Sequence, residues 1–249
     1  MKLIVTKDYE GLSTRAAGLV IEHIQQNPAS VLVLATGNTP LGMFARLVDA
    51  YRRGVVSFQD CSLVELDDYF NISLDDHRNL YNWLAAEFIS QVDIPAENIV
   101  RFDTASTYPK EECARVEQAI ANLGGIDLLV LGLGLNGHLG FNEPGSDFES
   151  PTRVITLSAA SIKSSAQYWG KEEDVPRQGI TLGLKALSAA CQTLLLVSGK
   201  QKTQIFNSTF QGPVTTNIPA TILQQQQNLT VIVDEAAAAN ISTTSTLNL

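Results

Sequence analysis

The stretch Ile126-Asp127-Leu128-Leu129-Val130-Leu131-Gly132-Leu133-Gly134-Leu135-Asn136-Gly137-His138-Leu139-Gly140-Phe141-Asn142-Glu143-Pro144-Gly145 changes character halfway along. Residues 126–131 form an almost continuous apolar run, the pattern of a strand covered on both faces in a parallel sheet. A glycine-dense turn follows, carrying an imidazole and, five residues on, a carboxylate. Ligands of open parallel sheets bind beyond the carboxyl ends of the strands, so this turn bears on fold and site together. The arrangement repeats on either side. Residues 31–34 run into Ala35-Thr36-Gly37-Asn38-Thr39-Pro40, and 62–66 into Asp67-Asp68-Tyr69. Residues 193–197 run into Ser198-Gly199-Lys200-Gln201-Lys202, 229–233 end at Asp234-Glu235, and a short run at 1–6 opens the chain. Helical patterns lie between them at 14–25, 41–51, 80–92 and 110–122, with Thr39-Pro40 as the cap and first turn of the second. Alternation of this kind predicts an α/β fold, a three-layer α/β/α sandwich around a Rossmann-like, mostly parallel sheet. One domain over residues 1–241 is expected, with 145–178 as a lid-like segment, because so long a connection in a compact domain is usually a binding element. Residues 242–249 read as a flexible tail.

Composition narrows the function. The 249 residues are 45% hydrophobic, enough for a large core and against a disordered or disulfide-dependent chain. Asp plus Glu number 26 against 17 Lys plus Arg, a net charge of −9 that repels nucleic acid and anionic lipid on average. No apolar run approaches the roughly 18 residues of a membrane span, and the run at 1–6 is too brief for a signal peptide. Cys61, Cys113 and Cys191 lack any paired spacing, which suggests reduced core thiols in a cytoplasmic protein. Scattered histidines with no Cys/His spacing argue against a zinc site.

The loops at the strand ends carry the chemistry. Around Gly37 the backbone can approach an anion, Thr36 and Thr39 bring hydroxyls, and a helix opening at Pro40 points free N–H groups outward. A plain strand-to-helix turn would use the same residue types. The loop completes neither a Walker motif nor a dinucleotide fingerprint. Lys202 could balance an anion's charge. Asp67 or Asp68 could face the cleft and abstract a proton from carbon if desolvation raises its pKa, whereas a helix-capping or solvated pair is the structural alternative. His138 could pair with Glu143 as a proton shuttle near neutral pH, or serve only the loop. His23, within an amphipathic helix, and His77, in a polar loop, read as inert.

Taken together, these segments resemble the glucosamine-6-phosphate deaminase/isomerase family, including its galactosamine-6-phosphate branch. Asn136-Gly137-His138-Leu139-Gly140-Phe141-Asn142-Glu143-Pro144-Gly145 is the most specific element. Leu34 to Pro40, Leu66-Asp67-Asp68-Tyr69 and Ser198 to Lys202 support it in the same order along the chain. The resemblance implies conversion of an amino-hexose 6-phosphate to a ketohexose 6-phosphate and ammonia, in amino-sugar catabolism, without metal or organic cofactor. It implies that Asp67 moves a proton between C2 and C1 through a cis-enediol-type intermediate, and that His138, assisted by Glu143, opens the pyranose ring. The loop of Thr36, Gly37, Asn38 and Thr39, with Lys202, would hold the phosphate. Two positions depart from many members. Asn136 stands where an Asp often orients the histidine, and Gln167 stands where a phosphate-binding arginine is common; Lys163 and Lys171 are candidates to compensate. Residues 177–184 resemble the galactosamine-type branch more closely, which leaves the epimer open.

Two other readings share this fold. A 6-phosphogluconolactonase would have no use for a second base at Asp67, and its motif after the histidine tends toward Ala-Ser-Leu-Phe-Pro in place of Leu-Gly-Phe-Asn-Glu-Pro. A sugar-phosphate sensor would carry a helix-turn-helix, for which an acidic chain beginning with a strand leaves no room. The expected partner is a small sugar phosphate, with no nucleic acid and no membrane, and the protein a monomer or homo-oligomer.

Overall fold

A computed structural model describes residues 1–239, so the tail expected at 242–249 lies outside the described residues. Strand β1 (Lys2–Thr6) leads through α1 (Tyr9–Gln26) to β2 (Val31–Leu34), and α2 (Asn38–Arg52) leads to β3 (Ser62–Glu65). Next come β4 (Asp67–Tyr69), α3 (Leu80–Glu87), β5 (Ile99–Val100), α4 (Pro109–Asn122) and β6 (Leu128–Gly132). They are followed by β7 (Arg153–Thr156), α5 (Ala159–Trp169), β8 (Gln178–Thr181) and α6 (Leu184–Ser188). The described chain closes with β9 (Gln192–Val197), α7 (Thr203–Gln211), β10 (Leu229–Asp234) and α8 (Glu235–Ala238).

Seven strands form one parallel sheet in the order β1-β10-β9-β6-β2-β3-β5. Successive side chains on a strand face opposite ways, and here both faces are covered. Leu32, Leu34, Val130, Leu194 and Leu196 pack with α1, α2 and α3. Val31, Val33, Leu129, Leu131 and Leu195 pack with α4, α6 and α7. Each such side chain contributes about 1.5–3 kcal/mol by leaving water, and double coverage is why the runs show no polar alternation. The expected sandwich and its mostly parallel sheet are borne out.

The order of the strands creates a crevice. From β2 the chain moves outward to β3 and β5, then crosses to the other side of β2 to lay down β6, β9 and β10. The direction of winding therefore reverses between β2 and β6, the place where ligands enter folds of this kind.

A second sheet, antiparallel and ordered β4-β8-β7, was not anticipated. Its strands are three or four residues long, and Asp67-Asp68-Tyr69 and Gln178-Gly179-Ile180-Thr181 contain no apolar run that would announce them. The segment 145–178 contributes β7 and α5, and the side chains of Leu157, Ile162, Trp169 and Val175 cluster with Tyr69 and Phe141. Helix boundaries also moved. α1 begins at Tyr9 because the Asp8 carboxylate caps it, accepting the Gly11 N–H at 2.9 Å. The helix expected over 80–92 breaks at Phe88 and continues as a 3-10 turn, Ile89–Gln91. Cys61 and Cys113 are buried as expected, whereas Cys191 is exposed, since it precedes β9 rather than lying in it.

Candidate functional site

Register fixes which loops can meet. Leu34 of β2 lies beside Val130 of β6 and Glu65 of β3, and Gly132 of β6 lies beside Leu196 of β9. The loops after β9, β6, β2 and β3 thus leave one edge of the sheet, within three strand spacings, about 14 Å.

Asp67 follows β3 after one residue. Only 6% of it is exposed, and among the described residues no hydrogen bond is made to its carboxylate. Burial, with the Asp68 charge second, pushes its carboxyl up to about 8. A carboxylate left without donors in a dry place is a strong base. Asp68 has a different task. Its Oδ1 accepts the N–H groups of Tyr69 at 2.7 Å and Leu80 at 2.8 Å, and its Oδ2 accepts that of Tyr81 at 3.2 Å. It holds the start of α3, so the helix-capping alternative describes Asp68 and the cleft-facing reading suits Asp67.

The loop after β6 brings His138, Asn136 and Glu143 together. Asn136 Nδ2 donates to Glu143 Oε2 at 2.9 Å, and Asn136 Oδ1 lies 2.7 Å from His138 Nδ1. A carboxylate can only accept, so the amide must turn its NH₂ to Glu143 and its oxygen to the imidazole. The oxygen in turn requires a proton on Nδ1, which leaves Nε2 of the neutral ring as an acceptor. Burial holds the His138 pKa below its usual value, and the nearby Lys202 charge acts the same way against Glu143. Burial pushes Glu143 up, but hydrogen bonds from Ser161, Asn136 and Ser158, with the His138 charge, hold its carboxyl below the usual range. Its Oε2 lies 3.9 Å from Nδ1, near enough to favour a passing imidazolium. Two glycines make the loop possible. A Cβ at Gly134 would stand 2.4 Å from His138 Cγ, and one at Gly140, where φ is +55°, would stand 3.4 Å from Asp67 Oδ2. The histidine loop therefore passes beside the Asp67 carboxylate, with room there for little more than a glycine.

On the other side of the crevice Gly37 caps α2 with no side-chain hydrogen bond to the first-turn N–H groups. Such a helix start, beside Thr36, Asn38 and Thr39, is fit to receive an anion. Lys202 donates to the Leu133 carbonyl, and burial pulls its ammonium down to about 8. Gln167 lies exposed on α5 and donates to the Ser164 carbonyl. Of the two lysines expected to compensate for it, Lys163 is exposed on α5, while Lys171 is engaged with Glu173 at 3.2 Å and Asp174 at 3.9 Å. Both partners of Lys171 belong to its own exposed loop. His23 bridges Gln192 and Ser30, each at 3.0 Å, and His77 is exposed.

Some participants left no mark in the sequence. The Ser158 N–H donates to Glu143 Oε1 at 3.3 Å, and Ser158 and Ser161 form the capped start of α5. Ser-x-x-Ser is readable as a cap, but its attachment to a carboxylate fifteen positions upstream is not. Thr181 Oγ1, beneath Gly140, is reached only through the unforeseen second sheet. A groove of about 520 Å³ lined by Phe70, Arg78, Trp169 and Arg177 contains none of the expected site residues. Among the described residues no group of three or more His, Cys, Asp or Glu is placed to hold a metal, and no helix is long and apolar enough to cross a membrane.

Comparison with known proteins matches this arrangement. The family model for glucosamine-6-phosphate isomerases/6-phosphogluconolactonase fits residues 8–232. The glucosamine-6-phosphate deaminase of Geobacillus sp. (strain WCH70) is 41% identical over 238 residues, covering 95% of this chain and 94% of that one. That of Thermoanaerobacter sp. (strain X514) is 39% identical over 241 residues, covering 97% and 95%. A solved monomeric glucosamine-6-phosphate deaminase superposes with a TM-score of 0.93 at 34% identity, covering 96% of this chain and 99% of that one. The 6-phosphogluconolactonase from Trypanosoma cruzi shares the fold, with a TM-score of 0.78 at 21% identity over 97% of each chain. The chain belongs to the family of glucosamine-6-phosphate isomerases and 6-phosphogluconolactonases.

Proposed function

We propose that the protein is an amino-sugar-phosphate deaminase, converting glucosamine-6-phosphate or galactosamine-6-phosphate to a ketohexose 6-phosphate and ammonia. The observation that carries this reading is the approach of the histidine loop to the Asp67 carboxylate at Gly140, where a Cβ would stand 3.4 Å from Oδ2, at the crevice between β2 and β6. It supplies two bases of different kinds to one small molecule. In this reading the phosphate dianion sits at the start of α2 with Lys202, where charge-assisted hydrogen bonds are strongest. His138 Nε2 takes the proton of the anomeric hydroxyl and passes it to the ring oxygen, opening the pyranose, while Asn136 and Glu143 steady the transient imidazolium. Asp67 then removes the C2 proton, which the neighbouring carbonyl acidifies, and returns it to C1. The resulting imine at C2 takes up water and releases ammonia, so one water is consumed for each ammonia formed. No organic cofactor is called for, because the substrate's own carbonyl is the electron sink. The same reading puts the protein in the cytoplasm, as a monomer or homo-oligomer, acting on a small sugar phosphate and not on nucleic acid.

The test is ammonia release from each of the two epimers, run beside hydrolysis of 6-phosphogluconolactone. Ammonia from either amino sugar supports the reading. Fast lactone hydrolysis with no ammonia from either would replace it with the lactonase.

A further inference from the structure

Behind Asp67 lies a pair of acids for which the proposed reaction has no direct use. Glu65, the last residue of β3, and Asp68 of β4 are 4% and 0% exposed. Glu65 Oε2 accepts the Phe102 N–H at 2.7 Å. Its other oxygen, Oε1, is buried with no donor among the described groups. Glu65 holds the N–H of Phe102, the neighbouring Arg101 lies over the Tyr81 ring, and Asp68 holds the N–H of Tyr81, so one small cluster brings the Glu65 and Asp68 carboxyls within hydrogen-bonding reach of each other. Two ionised carboxylates have only lone pairs to offer each other, so this contact requires a proton between them. The backbone decides which residue keeps the charge. Asp68 accepts three N–H groups, from Tyr69, Leu80 and Tyr81, against one for Glu65. Hydrogen bonds donated to a carboxylate favour its charged form. Glu65 is therefore the acid that donates and Asp68 the carboxylate that accepts.

We propose that Glu65 and Asp68 form a buried acid–carboxylate pair holding a single proton, and that its one remaining negative charge, on Asp68, is a positioning charge that sets the strength of Asp67 as the base. This rests on the reading of Asp67 given above. Asp68 is the next residue along β4, so its charge opposes ionisation of Asp67 and adds to the effect of burial. The other titratable groups facing the pair are Arg101 after β5, Tyr81 of α3 and Tyr69 of β4. The Arg101 guanidinium lies over the Tyr81 ring, 4.0 Å from its centroid, and draws on Glu65 from that side. With a neutral pair Asp67 would be a weaker base. With a doubly charged pair it would stay protonated to higher pH.

The experiment has two arms. In the first, infrared difference spectra of the whole protein at neutral pH are compared with those of Glu65→Gln. Because Asp67 is itself largely protonated at neutral pH, both spectra are recorded on an Asp67→Asn background; there the band of a protonated carboxylic acid is expected with Glu65 and lost with Gln, and its absence while Glu65 is present overturns the proposal. In the second arm, the acid limb of kcat/KM is followed. Glu65→Gln keeps the hydrogen bond and the Asp68 charge, so its limb should remain where the wild type has it. Glu65→Gln/Asp68→Asn removes the charge and should move the limb to lower pH by about one unit. Asp68→Asn alone is a poor substitute, since its new NH₂ would let Glu65 ionise and carry the charge in its place. A double variant whose limb coincides with that of the wild type overturns the positioning role. If no amino-sugar phosphate is turned over at all, the proposed function fails, and ¹³C titration of the Asp67 carboxyl in the same variants reads the shift directly. Should the double variant not fold, the same titration in the wild type and Glu65→Gln decides. Coincident curves are expected, and a displaced one counts against the assignment of the proton to Glu65.

Discussion

Asp67 and Asp68 are consecutive residues of one strand, and strand geometry sends their side chains to opposite faces. One face is the dry crevice under Gly140; the other carries the three N–H groups that order Tyr69 and the start of α3. Chemically identical groups thus come to differ in surroundings through direction alone, and the proposed reaction uses that difference. Replacement of Asp67 by Asn keeps size and removes the proposed base, so we expect kcat to fall by about 10²–10⁴-fold, with a phosphorylated sugar analogue still bound at close to the wild-type Kd by calorimetry. An Asp67→Asn enzyme of ordinary kcat would mean that another group moves the proton. Lys202 is tested through KM. Loss of a charge-assisted hydrogen bond to phosphate in Lys202→Ala should cost about 1.5–3 kcal/mol of binding, and an unchanged KM would remove it from the phosphate site. Asn136 is the residue at which the relay differs from a carboxylate-oriented histidine. An amide holds the ring and its tautomer as firmly as a carboxylate does, but the compensating charge must come from Glu143, 3.9 Å from Nδ1.

Among the elements, the loop after β6 is held from both sides. Gly134 lies against the face of the imidazole, so Gly134→Ala would drive a methyl group to 2.4 Å from His138 Cγ and force the ring aside. A displacement of about 1 Å can cost 10²-fold in rate, and we expect a loss of that order in kcat on the ring-closed substrate while the circular dichroism spectrum is retained. Glu143, on the other side, is fastened to the first turn of α5 through Ser158 and Ser161. These elements also mark where the sequence was legible. Apolar runs announced every long strand of the parallel sheet, because burial on both faces writes hydrophobicity into consecutive residues. The strand-end loops were legible too, since Gly37, Asp67, His138 and Lys202 follow those runs directly. The small sheet was not, because its strands are three or four residues long with no apolar run, and β4 draws its partner from more than a hundred positions away, as Asp67 does with Thr181. The Glu65–Asp68 contact escaped for a related reason: nothing local shows that a carboxyl at a strand end will face another carboxyl. Motif order named the family correctly, whereas the ion pairs of Lys171 with Glu173 and Asp174, within one turn of chain, carry no signal that a motif would show.

For the molecule as a whole, these site groups bear on stability in ways that can be separated by pH. An acid whose pKa is higher in the folded state binds its proton more tightly there, so stability falls as pH rises from the unfolded to the folded value. Asp67 goes from 3.8 to about 8, and its penalty therefore grows between about pH 4 and pH 8 and then levels off. Lys202 goes from 10.5 down to about 8. The unfolded chain then binds more protons between those values, and stability is regained as pH rises through them. Acids held low, such as Asp76 and Glu112, act in the opposite sense at the acidic end, where stability falls as pH drops and they protonate. The sum is a maximum at mildly acidic pH, lower than the usual range of about 5–8, and a minimum close to pH 8. Thermal melts across this range should show it, and Asp67→Asn should flatten the descending limb. The variant should match the wild type near pH 4 and exceed it near pH 8 by on the order of a few kcal/mol, so that the inactive enzyme is the more stable one. A wild-type Tm that climbs steadily from pH 5 to pH 8, or an Asp67→Asn variant with no advantage at pH 8, would mean that Asp67 ionises freely in the folded protein. The electrostatic basis for its role as a base would then be gone.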